Sequence, residues 1–151
     1  MKEEGETMPD NEMQLEFMSL SQNESFARSC AAAFCTQLNP TIEELSDIRT
    51  AVSEAVTNAI IHGYESRPGT VYMRCAIEGD RFLVSVRDEG VGIRDIELAR
   101  QPFFTTRPEL ERSGMGFTVM EAFMEEVQIT SAPGTGTTVT MAKRIGRRED
   151  V

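Results

Sequence analysis

Glu54 and Asn58 stand four residues apart in the stretch Val52–Gly63, VSEAVTNAIIHG. On a helix that spacing puts both side chains on one face. A carboxylate beside a carboxamide on a rigid helix can serve as a base and as a metal ligand. Taken alone the pair is a solvated helix face, because Glu and Asn are mostly surface residues. Three further stretches change its weight: Asp88–Gly92 (DEGVG), Ser113–Gly116 (SGMG) and Gly134–Thr138 (GTGTT). An aspartate at a strand end accepts a hydrogen bond from an exocyclic amine such as that of adenine. Gly90 and Gly92 then let the backbone approach a flat or charged ligand; the plain alternative is a turn, where Asp and Gly abound. In Ser113–Gly116 the backbone N–H groups at a helix start form an anion cradle, with Arg112 beside it to reach a terminal phosphate. Its plain alternative is a flexible first turn, and Gly134–Thr138 alone is a hairpin turn.

These residues need a helix and several strand ends to hold them. Ile42, Leu45, Ile48, Val52, Ala55, Val56 and Ala59 recur at three-and-four spacing, which predicts a central helix with one buried face. Thr41 and Glu44 supply its capping box, Gly63 ends it, and Glu54 and Asn58 fall off its apolar stripe. Met13–Leu20 alternates and reads as a strand. Ser21 with Glu24 predicts a second capping box, opening a helix to about Leu38 with Arg28 near its start; Asn39-Pro40 ends it. Thr70–Ile77 and Arg81–Arg87 form a hairpin about Gly79-Asp80. A short helix is expected over Asp95–Arg100. Gln101–Ser113 has no periodicity and is expected to be a mobile lid. A helix at Gly116–Met124 and strands at Val127–Thr130 and Thr137–Ala142 complete the chain. Hairpins with helices between them define an α+β class: a two-layer α/β sandwich, its sheet mixed and mostly antiparallel, covered on one face by helices. The expected limits are an acidic disordered tail at 1–12, one domain at 13–143 and a solvated tail at 144–151.

The chain has 151 residues and a formal net charge of -10, with 40 % hydrophobic and 26 % charged residues. That is a single globular domain with a real core. The negative charge disfavours nucleic acid as a direct partner and favours a protein with a basic patch. No apolar run is long enough for a membrane span. Cys30, Cys35 and Cys75 form no CxxC pair and read as buried thiols of a reducing, cytoplasmic compartment. One histidine makes a structural zinc site improbable.

In this order the four blocks resemble the nucleotide-binding fold shared by type II topoisomerases, a heat-shock chaperone family, mismatch-repair ATPases and sensor histidine kinases. The wording is closer still. ESFAR at Glu24–Arg28, VSEAVTNAIIHGYE at Val52–Glu65, VRDEGVGI at Val86–Ile93, ARQPFFTTRPELERSGMGF at Ala99–Phe117 and GTT at Gly136–Thr138 look like the anti-sigma F factors of spore-forming bacteria. The resemblance covers Met13 to about Arg144. It departs in the acidic N-terminal extension and in the short Ser66–Gly69 turn.

That family implies a serine kinase that uses ATP, returns ADP and needs Mg2+. It also implies a brake on sporulation sigma factor F, an anti-anti-sigma factor as phosphorylated substrate, and a homodimer. Carried over, Glu54 resembles the general base and Asn58 the magnesium ligand. Asp88 resembles the adenine-reading carboxylate, with Gly90 and Gly92 at the base and Thr138 assisting through its hydroxyl. Thr105, Thr106, Arg112, Ser113, Gly114, Met115, Gly116 and Phe117 would line the lid and phosphates, and Arg28 would contact partner proteins. His62 matches the motif but reads as a structural residue. Two rivals stay open: a stress-response anti-sigma kinase, and a binding module in which ATP only sets shape. A sensor histidine kinase fragment is disfavoured, because the single His62 lies inside the nucleotide motif.

Overall fold

The computed structural model describes residues 8–102 and 116–146. Strand β1 (Asn11–Met18) turns Met13, Leu15 and Phe17 toward the core and leaves Glu12, Gln14 and Glu16 exposed, the two-residue period of a half-buried strand. The same alternation runs through β2 (Thr70–Glu78) and β3 (Arg81–Asp88), joined at Gly79, whose φ of 63° suits a tight hairpin. Strands β4 (Glu126–Ala132) and β5 (Gly136–Arg144) form the second hairpin. The sheet order is β1-β2-β3-β5-β4, and all four pairings are antiparallel. β3 is therefore the middle strand, and Asp88 is its last residue.

Two long helices cover one face. α1 (Ser21–Cys35) buries Ala27, Ala31 and Cys35, and α2 (Ile42–Asn58) buries Ile48, Ala51, Val52, Ala55 and Val56. They share a core with Val71, Met73, Phe82, Val84 and Met141 of the sheet. α3 is one short turn (Ile96–Ala99), capped by Asp95 at 3.0 Å. α4 (Gly116–Phe123) packs Phe117 and Met120 into the same core against α2. The opposite face of the sheet is polar, with Arg74 donating to Glu12 and Arg81 to Glu126.

The box at Thr41 forms as the sequence predicts. Glu44 N–H donates to the Thr41 hydroxyl at 3.0 Å and Thr41 N–H donates to the Glu44 carboxylate at 2.8 Å, an arrangement worth about 1 kcal/mol. The box at Ser21 does not. Leu20 is the N-cap and no side chain caps it, because Asn23 holds the first turn instead: its amide donates to the Met18 carbonyl at 2.9 Å. Glu24 turns to Arg28, 3.5 Å away, and Arg28 sits mid-helix, not near the start. After a 3-10 turn at Thr36–Leu38, Asn39 takes a left-handed φ of 53° ahead of Pro40. α2 continues beyond Asn58 as a π turn over Ala59–Gly63. At the C-terminus Ile145 is 1 % exposed and donates its N–H to the Asp80 carbonyl at 2.8 Å. The packed chain thus runs past Arg144, where the sequence placed a solvated tail.

Candidate functional site

The end of α2, the DEGVG segment and the β4–β5 turn meet at one place. Asp88 is only 5 % exposed. Burial raises its carboxyl above the usual carboxylate range, and the N–H groups of Gly90 and Thr137, with the Arg87 charge, pull part of the way back. The Gly90 N–H lies 2.9 Å from Asp88 Oδ1. A Cβ at Gly90 would stand 1.8 Å from the Gly63 carbonyl, so only glycine lets the loop lie on the helix end. Val91 N–H donates to that same carbonyl at 2.9 Å. Gly92 has φ 77° and abuts the Ala132 carbonyl, while Gly134 N–H donates to the Val91 carbonyl at 2.7 Å. The structure therefore brings Asp88, Gly90 and Gly92 together beside the last turn of the helix that carries Glu54 and Asn58.

Thr138 is a correction. In the β3–β5 register Asp88 faces Thr137, and Thr138 faces Arg87. Directly opposed residues share a sheet face, so the hydroxyl on the side of Asp88 belongs to Thr137, and Thr138 lies on the outer face. Thr137 is 6 % exposed, with its Oγ1 2.8 Å from Ser131 Oγ. Ser131 in turn donates to the Gly136 carbonyl at 2.9 Å and accepts the Ile93 N–H at 2.7 Å. Strand parity carried the signal: Thr137 has the phase of the core residues Val139 and Met141.

Toward the other end of α2, a cleft of about 540 Å³ is lined by Arg28, Ile42, Leu45, Arg49, Ser53 and Glu54, among others. Arg28 has a buried Nε, yet its side chain as a whole keeps 37 % exposure where it lines the cleft. Asn58 lies one turn beyond Glu54 and is half-buried. Among the described residues no three His, Cys, Asp or Glu side chains cluster as a metal cage. Magnesium keeps several waters and is usually held through one or two carboxylates plus substrate phosphates, so an Asn58 carboxamide oxygen would share the ion with phosphates and water.

Phe117 is 7 % exposed and belongs to the core, so what it can offer a phosphate is its backbone N–H in the first turn of α4, which Gly116 opens. Thr105, Thr106, Arg112, Ser113, Gly114 and Met115, with the expected lid, lie outside the described residues. His62 falls in the π turn. Burial pushes the Cys35 and Cys75 thiols up to about 12, which keeps them protonated and unreactive.

The fold and this site define a nucleotide-binding domain of histidine kinase-like type, and residues 19–143 match the family described as histidine kinase-like ATPase domain. The chain is 60 % identical over 136 residues to an anti-sigma F factor of Thermoanaerobacter sp. (strain X514), covering 90 % of this chain and 95 % of that protein. It is 59 % identical over 138 residues to the anti-sigma F factor of Bacillus subtilis (strain 168), covering 91 % and 94 %. In fold it is similar to the RsbU and RsbW domains of a Mycobacterium tuberculosis protein, with a TM-score of 0.64 at 21 % identity, spanning 91 % of this chain and 32 % of that one. The chain belongs to the anti-sigma F factor family. No helix among the described residues is long and apolar enough to cross a membrane.

Proposed function

We propose that this protein transfers the terminal phosphoryl group of Mg-ATP to a serine of an anti-anti-sigma factor. We further propose that it holds sporulation sigma factor F inactive, as a cytoplasmic homodimer. One observation supports this reading above the others. A single rigid helix runs from a cleft lined by Arg28, Arg49 and Glu54 to the buried Asp88 loop at Gly63. A partner's serine seated in that cleft would meet Glu54 one turn before Asn58.

Glu54 then accepts the serine proton as the oxygen attacks the γ-phosphorus. The bond from that phosphorus to the β–γ bridging oxygen breaks, and ADP leaves. Asp88, held by two backbone N–H groups, accepts from the adenine amine and fixes the base. Asn58 would hold the magnesium ion, which supplies charge neutralisation at the phosphates when bound. The backbone at Gly116 and Phe117 adds N–H donors at a helix start.

Arg28 tests the partner surface. Its contact with Glu24 is a 3.5 Å i,i+4 pairing within one helix, in which the facing Nε and carboxylate oxygen are buried while the rest of the Arg28 side chain stays partly exposed. It lies away from the Asp88 loop, so its loss should leave ATP binding nearly unchanged. Arg28→Ala should weaken capture of the sigma factor at least about tenfold, the usual consequence of truncating one member of an interfacial charge pair. Sigma capture at the parental level would return Arg28 to an ordinary surface role.

A further inference from the structure

Tyr64 follows the π turn directly and is anchored in several directions. Its N–H donates to the Ala59 carbonyl at 2.9 Å, closing the π turn. Its hydroxyl donates to the Thr70 carbonyl at 2.5 Å and accepts the Glu89 N–H at 2.7 Å. Thr70 opens β2, and the Glu89 N–H belongs to the peptide unit whose carbonyl is that of Asp88. The carbonyl end of this unit is also wedged, since a Cβ at Gly136 would stand 2.1 Å from it. The ring lies flush on Gly69, where a Cβ would be 2.6 Å from two ring carbons. The Gly69 turn is itself pinned, with Ser19 N–H donating to the Gly69 carbonyl at 2.9 Å and Ser19 Oγ to the Arg67 carbonyl at 3.0 Å. The Glu89 side chain is held separately, by Arg87 at 3.1 Å and Tyr72 at 3.3 Å, so these contacts do not fix its backbone.

We propose that Tyr64 is a positioning residue of the nucleotide site: its hydroxyl fixes the peptide after Asp88 and thereby aims the Asp88 carboxylate at the purine amine. The inference rests on the reading of Asp88 as the group that accepts from adenine. Two torsions, ψ of Asp88 and φ of Glu89, flank the peptide that Tyr64 holds. The next peptide carries the Gly90 N–H that grips Asp88 Oδ1 at 2.9 Å, so the angle of the first sets where the carboxylate is held. With the hydroxyl gone, water can satisfy Glu89 N–H and Thr70 carbonyl, but water does not hold the peptide at one angle. The carboxylate then accepts from the amine with poorer geometry, and hydrogen bonds weaken steeply with angle.

The test is calorimetric binding of ATP and of inosine triphosphate, which carries a carbonyl where adenine has the amine. The parent is expected to prefer ATP, and Asp88→Asn to lose that preference. Tyr64→Phe keeps the ring on Gly69 and should bind ATP about three- to tenfold more weakly, the value of one neutral hydrogen bond. Its inosine triphosphate affinity should stay at the parental value, so the preference narrows by the same factor. A merely structural role would weaken both nucleotides alike and leave their ratio intact. Gly69→Ala should narrow the preference too, because its methyl displaces the ring; it carries the test if Tyr64→Phe does not fold. If Asp88→Asn abolishes the preference while Tyr64→Phe and Gly69→Ala keep it, the positioning role is overturned and the Asp88 reading stands. If Asp88→Asn keeps the parental preference, or the parent has none, the Asp88 reading fails and the role of Tyr64 fails with it.

Discussion

Glu54→Gln should lower serine phosphorylation about 10²–10⁴-fold, the usual cost of losing a general base. The variant keeps the shape of the side chain and removes the negative charge. Glu54 is half-buried on the cleft side of α2, off the Ile48–Val52–Ala55 stripe, so the helix should pack as before. Asp88, Asn58 and the Gly116 turn are untouched, so ATP should bind at the parental affinity and sigma-factor capture should persist. This pattern separates an enzyme from a binding module in which ATP only sets shape. Phosphorylation at the parental rate would remove Glu54 from the role of base. Loss of ATP binding together with sigma capture would instead make Glu54 part of the nucleotide scaffold.

Asp88→Asn should reduce ATP affinity roughly ten- to hundredfold, the cost of a buried donor–donor mismatch of about 1–3 kcal/mol. The carboxylate accepts from Gly90 N–H on Oδ1 and from the Thr137 N–H, and these two donors offset part of the upward push of burial. An Asn side chain has one oxygen for these partners and turns its NH2 toward another donor. Stability should move differently from affinity. The Asp88 carboxyl is raised by burial, so its stabilising contribution is complete below the unfolded-state pKa and is lost as pH rises through the folded one. The uncharged amide of the variant does not titrate and has no such loss. The Tm of the variant relative to the parent should therefore climb as pH increases from the ordinary carboxylate range through the raised pKa, then level off. Unchanged ATP affinity in calorimetry would reduce Asp88 to a turn residue.

Much of this site was legible because its signals are local. The period of Ile48, Val52, Ala55 and Val56 and the Thr41–Glu44 box place α2, and with it Glu54 and Asn58. Gly79-Asp80 and the Gly134 turn mark the two hairpins that bring Asp88 and Gly136 side by side. What was missed depends on contacts far apart in sequence or on a single residue of phase. Ser21 lost its box because Asn23 bonded back to Met18 and moved the cap to Leu20. The resemblance points to Thr138, whereas the core phase of Val139 and Met141 puts Thr137 opposite Asp88. Ile145 looked like tail, yet its burial depends on Asp80, far back along the chain in the β2–β3 turn. Tyr64 lies in the VSEAVTNAIIHGYE stretch, but its spacing shows no role; its hydroxyl bonds reach Thr70 and Glu89, and only the closed fold brings those together.

Phosphoryl transfer to a partner's serine is the step on which the proposed function turns. It is tested most directly by incubating the protein with magnesium, ATP labelled at the γ-phosphate and the anti-anti-sigma protein. The partner's label is then mapped by mass spectrometry. One phosphoserine is expected on the partner for each ADP formed, and no label when magnesium is chelated. An ATP-dependent complex that yields no phosphoserine, or ADP released without label on the partner, would contradict it.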